Sequence, residues 1–345
     1  MPTPSFTARS PADVLALVPI ILGFVPRSSV VLLTHGGQRP FHARLDLPPR
    51  SAGAEALDLV LGTLLAPVRR HGVSSVLLVL YTEDGEQAEV AGRVLTDGFE
   101  EEGVRVRDAL HADGARWYPL LVPVAAGGVD GSEGGVAGVP YDIATHPFTT
   151  RWVFEGRVTH DSREGLAASL LGPPGDVERV ERFLSRWDRR AHAPGPAEGH
   201  WAVRAVRAAA ETGARLEDEE VARLLVLLRD PGVRDLVWVL LTRRTARDLV
   251  AFWTDVVRRA PTAELSAPAT LLGFAAWVQG SGALAWCALD RCREAGRPSP
   301  LADLLTQALE HGLPPSAWED FVDQEVARSE SARGAPSPDP REPEE

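Results

Sequence analysis

Val76-Leu77-Leu78-Val79-Leu80-Tyr81 is an unbroken apolar run of one strand's length. A strand that is apolar at every position is covered on both faces, which places it centrally in a sheet with helices on either side. Working outward, residues 54–70 carry Leu57, Val60, Leu61, Leu64, Leu65 and Val68, a helical stripe. A more polar helix is expected over about 86–102, and a strand over 104–111. Upstream, Phe41, Ala43, Leu45 and Leu47 alternate with His42, Arg44 and Asp46, the period of a half-buried strand that Pro48-Pro49 stops. Residues 29–34 form a short apolar strand between the Gly23-Phe24-Val25-Pro26 turn and the His35-Gly36-Gly37 turn. Helix, strand, strand, helix, strand, helix, strand is the order of a mixed α/β sheet with flanking helices.

The apolar run from Val14 to Val25 has a helix start rather than a leader in front of it. Ser10, Pro11 and Asp13 fit the N-cap, first and third positions of a helix, and Pro19 interrupts the run. It is too short to span a bilayer and lacks a convincing cleavage site, so a buried first helix and a cytoplasmic location are expected.

Asp113-Gly114 is a two-residue hairpin signal. It predicts that His111 pairs with Arg116 and Leu110 with Trp117, which turns Trp117 toward the core. Glycine-rich residues at about 125–138, which include Asp130 and Glu133, read as a flexible loop; they are too acidic for a phosphate cradle. From Ser162 the periodicity becomes helical, with segments near 162–171, 175–191, 199–213, 217–229, 232–241 and 245–259. In residues 271–298, Leu272, Gly273, Gly280, Ala285, Leu289 and Cys292 match the spacing of one tetratricopeptide-like unit; with a single repeat, a generic helical hairpin is the simpler explanation. The layout expected is an α/β domain over residues 9–158 and an all-α domain of helical hairpins over 159–328. A Pro-, Glu- and Ser-rich tail over 329–345 is expected to be disordered.

Composition excludes several chemistries. All 36 basic residues are arginine, because the chain has no lysine; it has no asparagine either, a signature of GC-rich coding. Without lysine there is no Walker-type phosphate loop, no Schiff base and no pyridoxal aldimine. The net charge of −12 argues against a nucleic-acid partner. Cys287 and Cys292 would lie about 140° apart around one helix, which suits neither a disulfide nor a metal or redox pair. They read as small core residues of a reducing compartment. Ser28 and Ser29 precede a strand, so the strand–Gly-x-Ser-x-Gly–helix order of a nucleophile elbow is absent.

The polar set that could line a pocket is Arg44, Asp46, His111, Asp113, Arg116, Asp142 and His146, with His42 beside Arg44 and Tyr141 beside Asp142. Histidines and carboxylates together can hold a metal or move protons. No recognised ligand spacing is present, and a solvated strand face with an Arg–Asp pair explains Arg44 and Asp46 as well. Arg182, Arg186 and Arg189 recur at helical spacing beside Trp187 and could meet an acidic group, or could form a solvated helix face.

Several local patterns resemble a known family. They are Ser10-Pro11-Ala12-Asp13, Gly23-Phe24-Val25-Pro26-Arg27-Ser28-Ser29-Val30, Arg44-Leu45-Asp46-Leu47-Pro48 and Gly114-Ala115-Arg116-Trp117. Tyr141-Asp142, His146-Pro147-Phe148, Ser162-Arg163-Glu164, Ala275-Ala276-Trp277-Val278-Gln279-Gly280, Gly282-Ala283-Leu284-Ala285 and Gly312-Leu313-Pro314-Pro315 continue them. Together they resemble an uncharacterised actinobacterial family catalogued as domain of unknown function 4192. The likeness covers about residues 9 to 320 and brings no activity or catalytic residue with it. Many relatives place cysteines after the Arg-Trp pair; here Tyr118-Pro119 follows Trp117, so a thiol-dependent role does not carry over.

Three functions remain open at this stage. The first is a binding or regulatory protein, with a small-ligand site on the α/β domain and a helical domain that engages a protein. The second is a metal-assisted hydrolase using Asp46, Asp113, Asp142 and His146. The third is a scaffold without a pocket. Protein and small-molecule partners are expected, nucleic acid and membrane are not, and no cofactor is implied.

Overall fold

The computed structural model of the chain describes residues 6–37, 41–121, 137–188 and 195–315. Helix α1 (Pro11–Leu22) opens at a capping box: the Asp13 N–H donates to Ser10 Oγ at 3.2 Å, and the Ser10 N–H donates back to Asp13 Oδ2 at 3.0 Å. Such a cap stabilises a helix start by about 1 kcal/mol. Strands β1 (Ser29–His35), β2 (His42–Asp46), β3 (Ser75–Tyr81), β4 (Arg105–Ala112), β5 (Arg116–Pro119) and β6 (Val139–Pro140) follow. They form one sheet in the order β2-β1-β3-β4-β5-β6. Only β3 and β4 run parallel, joined by α3 (Gly85–Glu101); α2 (Ala54–Arg70) precedes β3.

The unbroken apolar run is a covered central strand, as expected. Val76, Leu78 and Leu80 pack with Leu64, Val68, Leu95 and Phe99 of α2 and α3 on one face. Val79 and Tyr81 face the other way, toward Val14, Leu15 and Val18 of α1. Strand β2 keeps its predicted alternation. Phe41, Ala43, Leu45 and Leu47 belong to the α2–α3 side, which leaves Arg44 and Asp46 on the α1 side.

The hairpin corrects the predicted register. His111 pairs with Tyr118 and Ala112 with Trp117, two residues away from the expected partners. The Asp113 carboxylate accepts the N–H groups of Ala115 and Arg116 at 2.8 and 2.7 Å. The two-residue loop is therefore Gly114-Ala115, with Gly114 at φ 99° in the first central position, as a type II′ turn requires. A shift of two preserves the faces, so Trp117 still packs toward the core side, half-buried.

After β6 come α4 (Pro147–Phe154), α5 (Arg163–Ala168), α6 (Pro174–Asp188), α7 (Pro196–Thr212), α8 (Asp218–Leu227), α9 (Pro231–Trp238), α10 (Ala246–Arg259), α11 (Ser266–Gln279), α12 (Gly282–Glu294) and α13 (Pro300–Glu310). The segments from α5 to α12 follow the predicted periodicity; α4 and α13 were not singled out in the sequence. Gly280, at φ 91°, ends α11, and Ala285 is fully buried where α12 packs back, as the hairpin reading requires. Gly273 makes room for α13 on the same helix, since a Cβ there would lie 2.8 Å from Leu305 Cδ2. Cys287 and Cys292 are buried and unpaired, and burial pushes the Cys287 thiol up.

One hydrophobic cluster runs from the α1 face of the sheet through Leu166 and Leu170 into Trp253, Leu272 and Phe274 of the helical part. It crosses residue 158, where the sequence suggests a division. No described helix is long and apolar enough to cross a membrane. The expected glycine-rich loop falls almost wholly, and the expected tail entirely, outside the described residues.

Candidate functional site

The sheet's topology separates the seven predicted residues. Asp46, Ser29, Tyr81, Ala112 and Trp117 form one cross-strand row at the end of the sheet where β3 and β4 finish. Three strand spacings divide β2 from β4, about 14 Å. Arg44 and Asp46 lie on the α1 face, and His111 projects from the opposite one.

Each residue is also engaged locally. Arg44 Nε donates to Ser29 Oγ at 2.9 Å, and its Nη2 lies 2.7 Å from Asp46 Oδ1. Its guanidinium also sits over the buried Phe24 ring at 5.8 Å. That is the Arg–Asp pair of the plainer reading, on a partly covered face. Buried His111 has Nε2 at 2.8 Å from the Thr82 carbonyl and stacks on Tyr118 at 5.1 Å. Burial alone would raise the Asp113 carboxyl. The Arg116 and Ala115 N–H groups and the Tyr118 hydroxyl outweigh it and hold the group below its ordinary value. Arg116 Nη1 donates to the Gly138 carbonyl at 2.7 Å. Asp142 accepts from Ala144 N–H at 2.8 Å and from Thr145 Oγ1 at 3.0 Å, bonds that lower its carboxyl.

His146 is the N-cap of α4. Its Nδ1 accepts the Phe148 N–H at 3.2 Å, which leaves Nε2 to donate to Asp13 Oδ1 at 3.1 Å. Both ring nitrogens are thus spent on holding α4 against the start of α1. The described residues contain no group of three or more His, Cys, Asp or Glu side chains able to hold a metal ion. The arrangement at the sheet end is structural hydrogen bonding, with one exception. The Tyr81 hydroxyl is buried without a partner among the described residues, and burial pushes its phenol well up.

A concave polar surface lies instead between α6 and α8. The groove, about 620 Å³, is lined by Arg179, Arg182, Phe183 and Arg186 on one wall and Glu217, Asp218 and Glu219 on the other. A closed ring of alternating charge buttresses it. Arg179 donates to Asp176 and Asp218 at 2.8 Å each; Arg259 reaches Asp218 at 3.2 Å and also bonds Asp255. Arg215 closes the ring, 2.8 Å from Asp255 and 3.9 Å from Asp176. Arg259 is buried, and its Nη1 donates to the Leu216 carbonyl at 2.8 Å. Burial would raise the Asp218 carboxyl, but the bonds from Arg179 and Arg259 prevail and hold it below its ordinary value.

Behind the groove, Arg223 is held between Trp187 and Trp201, with its guanidinium 5.1 and 3.9 Å from their rings, and it bonds Glu198 at 2.8 Å. This sandwich fixes α6 to α7 and α8. Arg186 meets Glu219 at 3.2 Å and lies over Phe183. Arg182 is exposed and carries no ion pair among the described residues. The sequence flagged Arg182 and Arg186 by spacing alone. Arg189, the third of that series, lies outside the described residues.

Fold and site together define a mixed α/β-sheet protein with a helical remainder, whose open polar surface belongs to the helices. The chain belongs to the family described as Domain of unknown function (DUF4192), whose model matches residues 11–316. No curated protein and no solved structure matches it.

Proposed function

We propose that the chain is a binding protein of regulatory type that holds an acid-bearing protein segment in the groove between α6 and α8. The observation that carries this reading is Arg182, a guanidinium without a carboxylate partner among the described residues, on a wall whose other arginines are paired. Half-buried Phe183 beside it offers an apolar contact, and arginine with aromatic residues is the composition of interface hot spots. The charge ring and the Arg223 sandwich pre-organise the walls, which lowers the ordering cost of association. The hydrolase reading loses support because Asp113, Asp142 and His146 are tied into local structure and Asp46 lies on β2, three strand spacings from β4.

The test is affinity capture with the full chain and with Arg182→Glu. A specific polypeptide retained by the wild type and lost by the variant supports the reading. Identical capture by both, or none by either, contradicts it.

A further inference from the structure

The C-terminal turn of α4 gathers donors that no acceptor in the described chain satisfies. Gly156, at φ 70°, closes the helix in the left-handed conformation that glycine adopts at least cost. The Arg157 N–H donates to the Trp152 carbonyl at 3.2 Å and the Gly156 N–H to the Val153 carbonyl at 2.9 Å, the paired bonds of a Schellman ending. That ending folds Arg157 back over the last turn, with its guanidinium 4.4 Å from the Trp152 ring centroid. From α10, Arg247 Nη2 donates to the Glu155 carbonyl at 3.4 Å, and Arg151 Nε stands 3.4 Å from the Glu155 carboxylate. Arg151 and Arg157 therefore flank one carboxylate, and Arg247 adds a third positive charge at the backbone of the same residue.

Two buried donors are left over, Trp152 Nε1 and Arg157 Nε. Glu155 Oε2 stands 3.9 Å from the latter, beyond hydrogen-bond reach. Burial, and after it the like charge of Arg247, push the Arg157 guanidinium below its ordinary value. Native structures seldom leave such donors unmet unless an ion, a water or a ligand completes them.

We propose that Trp152, Arg157 and Arg247 form a site for the oxyanion of a small organic phosphate or carboxylate. The anion accepts from the indole N–H and from the two guanidiniums, and supplies the negative charge this corner lacks. Guanidinium forks match phosphate and carboxylate oxygens in geometry as well as charge. Val153, Phe154 and Val158 are 63%, 92% and 71% exposed around the same turn, which suits an organic ligand over a bare ion. The site joins α4 to α10 and is separate from the α6–α8 groove, so either assignment can fail without the other.

The test is a titration of the ¹⁵N-labelled full chain with phenyl phosphate, benzoate and inorganic phosphate. The Trp152 indole signal is assigned by its disappearance in W152F. The expected result is a saturable shift of that signal, with phenyl phosphate or benzoate binding tighter than inorganic phosphate. R247Q, at an exposed position, should weaken binding by about tenfold, the loss of one charge-assisted hydrogen bond. A stationary Trp152 signal with all three anions, or unchanged affinity in folded R247Q, overturns the site. Equal affinity for inorganic phosphate and phenyl phosphate overturns its assignment to an organic ligand.

Discussion

His146 shows how a residue that looks chemical in sequence becomes mechanical in structure. A histidine beside an aspartate invites a proton-transfer reading, yet here the ring caps one helix and ties it to the cap of another. His146→Ala should cost about 1–2 kcal/mol in urea unfolding, and His146→Asn should recover roughly half, because asparagine is also a good N-cap. Equal losses for the two variants would contradict the capping role. At this scale much of the structure was legible: Ser10, Pro11 and Asp13 occupy the cap positions their residue types predict. The hairpin register was not legible, because the Asp113 side chain takes two backbone N–H groups and so moves the turn by one residue. Backbone pattern alone cannot show that competition.

Among elements, periodicity revealed most of those with a buried face, although α13 was not singled out, and it missed α4. Helix α4 buries no residue, so it leaves no stripe in the sequence. The α6–α8 groove was half visible. Arginine spacing on α6 could be read, but the acidic wall arrives from the start of α8 through tertiary packing. The charge ring between α6, α8 and α10 carries its own prediction. Arg259→Met leaves Asp218 and Asp255 facing each other and should cost about 3 kcal/mol, the low end for a broken buried pair because both carboxylates stay partly exposed. The ring also sets an acid response. Because the Asp218 carboxyl is depressed in the folded state, its contribution is present above the unfolded value of about 4 and is lost as pH falls through the folded value. Urea midpoints followed from pH 7 downward should fall more steeply below about pH 4 in the wild type than in Arg259→Met. Parallel curves would show that the ring does not contribute.

For the whole molecule, the change to helical periodicity near residue 160 suggested two parts, and one hydrophobic cluster spans both. No local pattern announces that Leu166, Trp253 and Phe274 share a core with Val79 and Leu110, since the contacts are remote in sequence. The shared core predicts cooperative unfolding. Far-ultraviolet circular dichroism, which follows the helices, and tryptophan fluorescence should report coincident urea transitions. Two separated midpoints would show that the parts are stable independently.

In the proposed reading, recognition belongs to the helical groove and not to the polar residues at the sheet end. The most direct test compares the affinity of the captured partner for the wild type, for Arg182→Glu and for the double variant Arg116→Glu with Asp142→Asn. The groove variant should lose about thirtyfold or more, the effect of removing a hot-spot arginine, and the sheet-end variant should keep an affinity near that of the wild type. Binding that survives Arg182→Glu and fails in the double variant would contradict it.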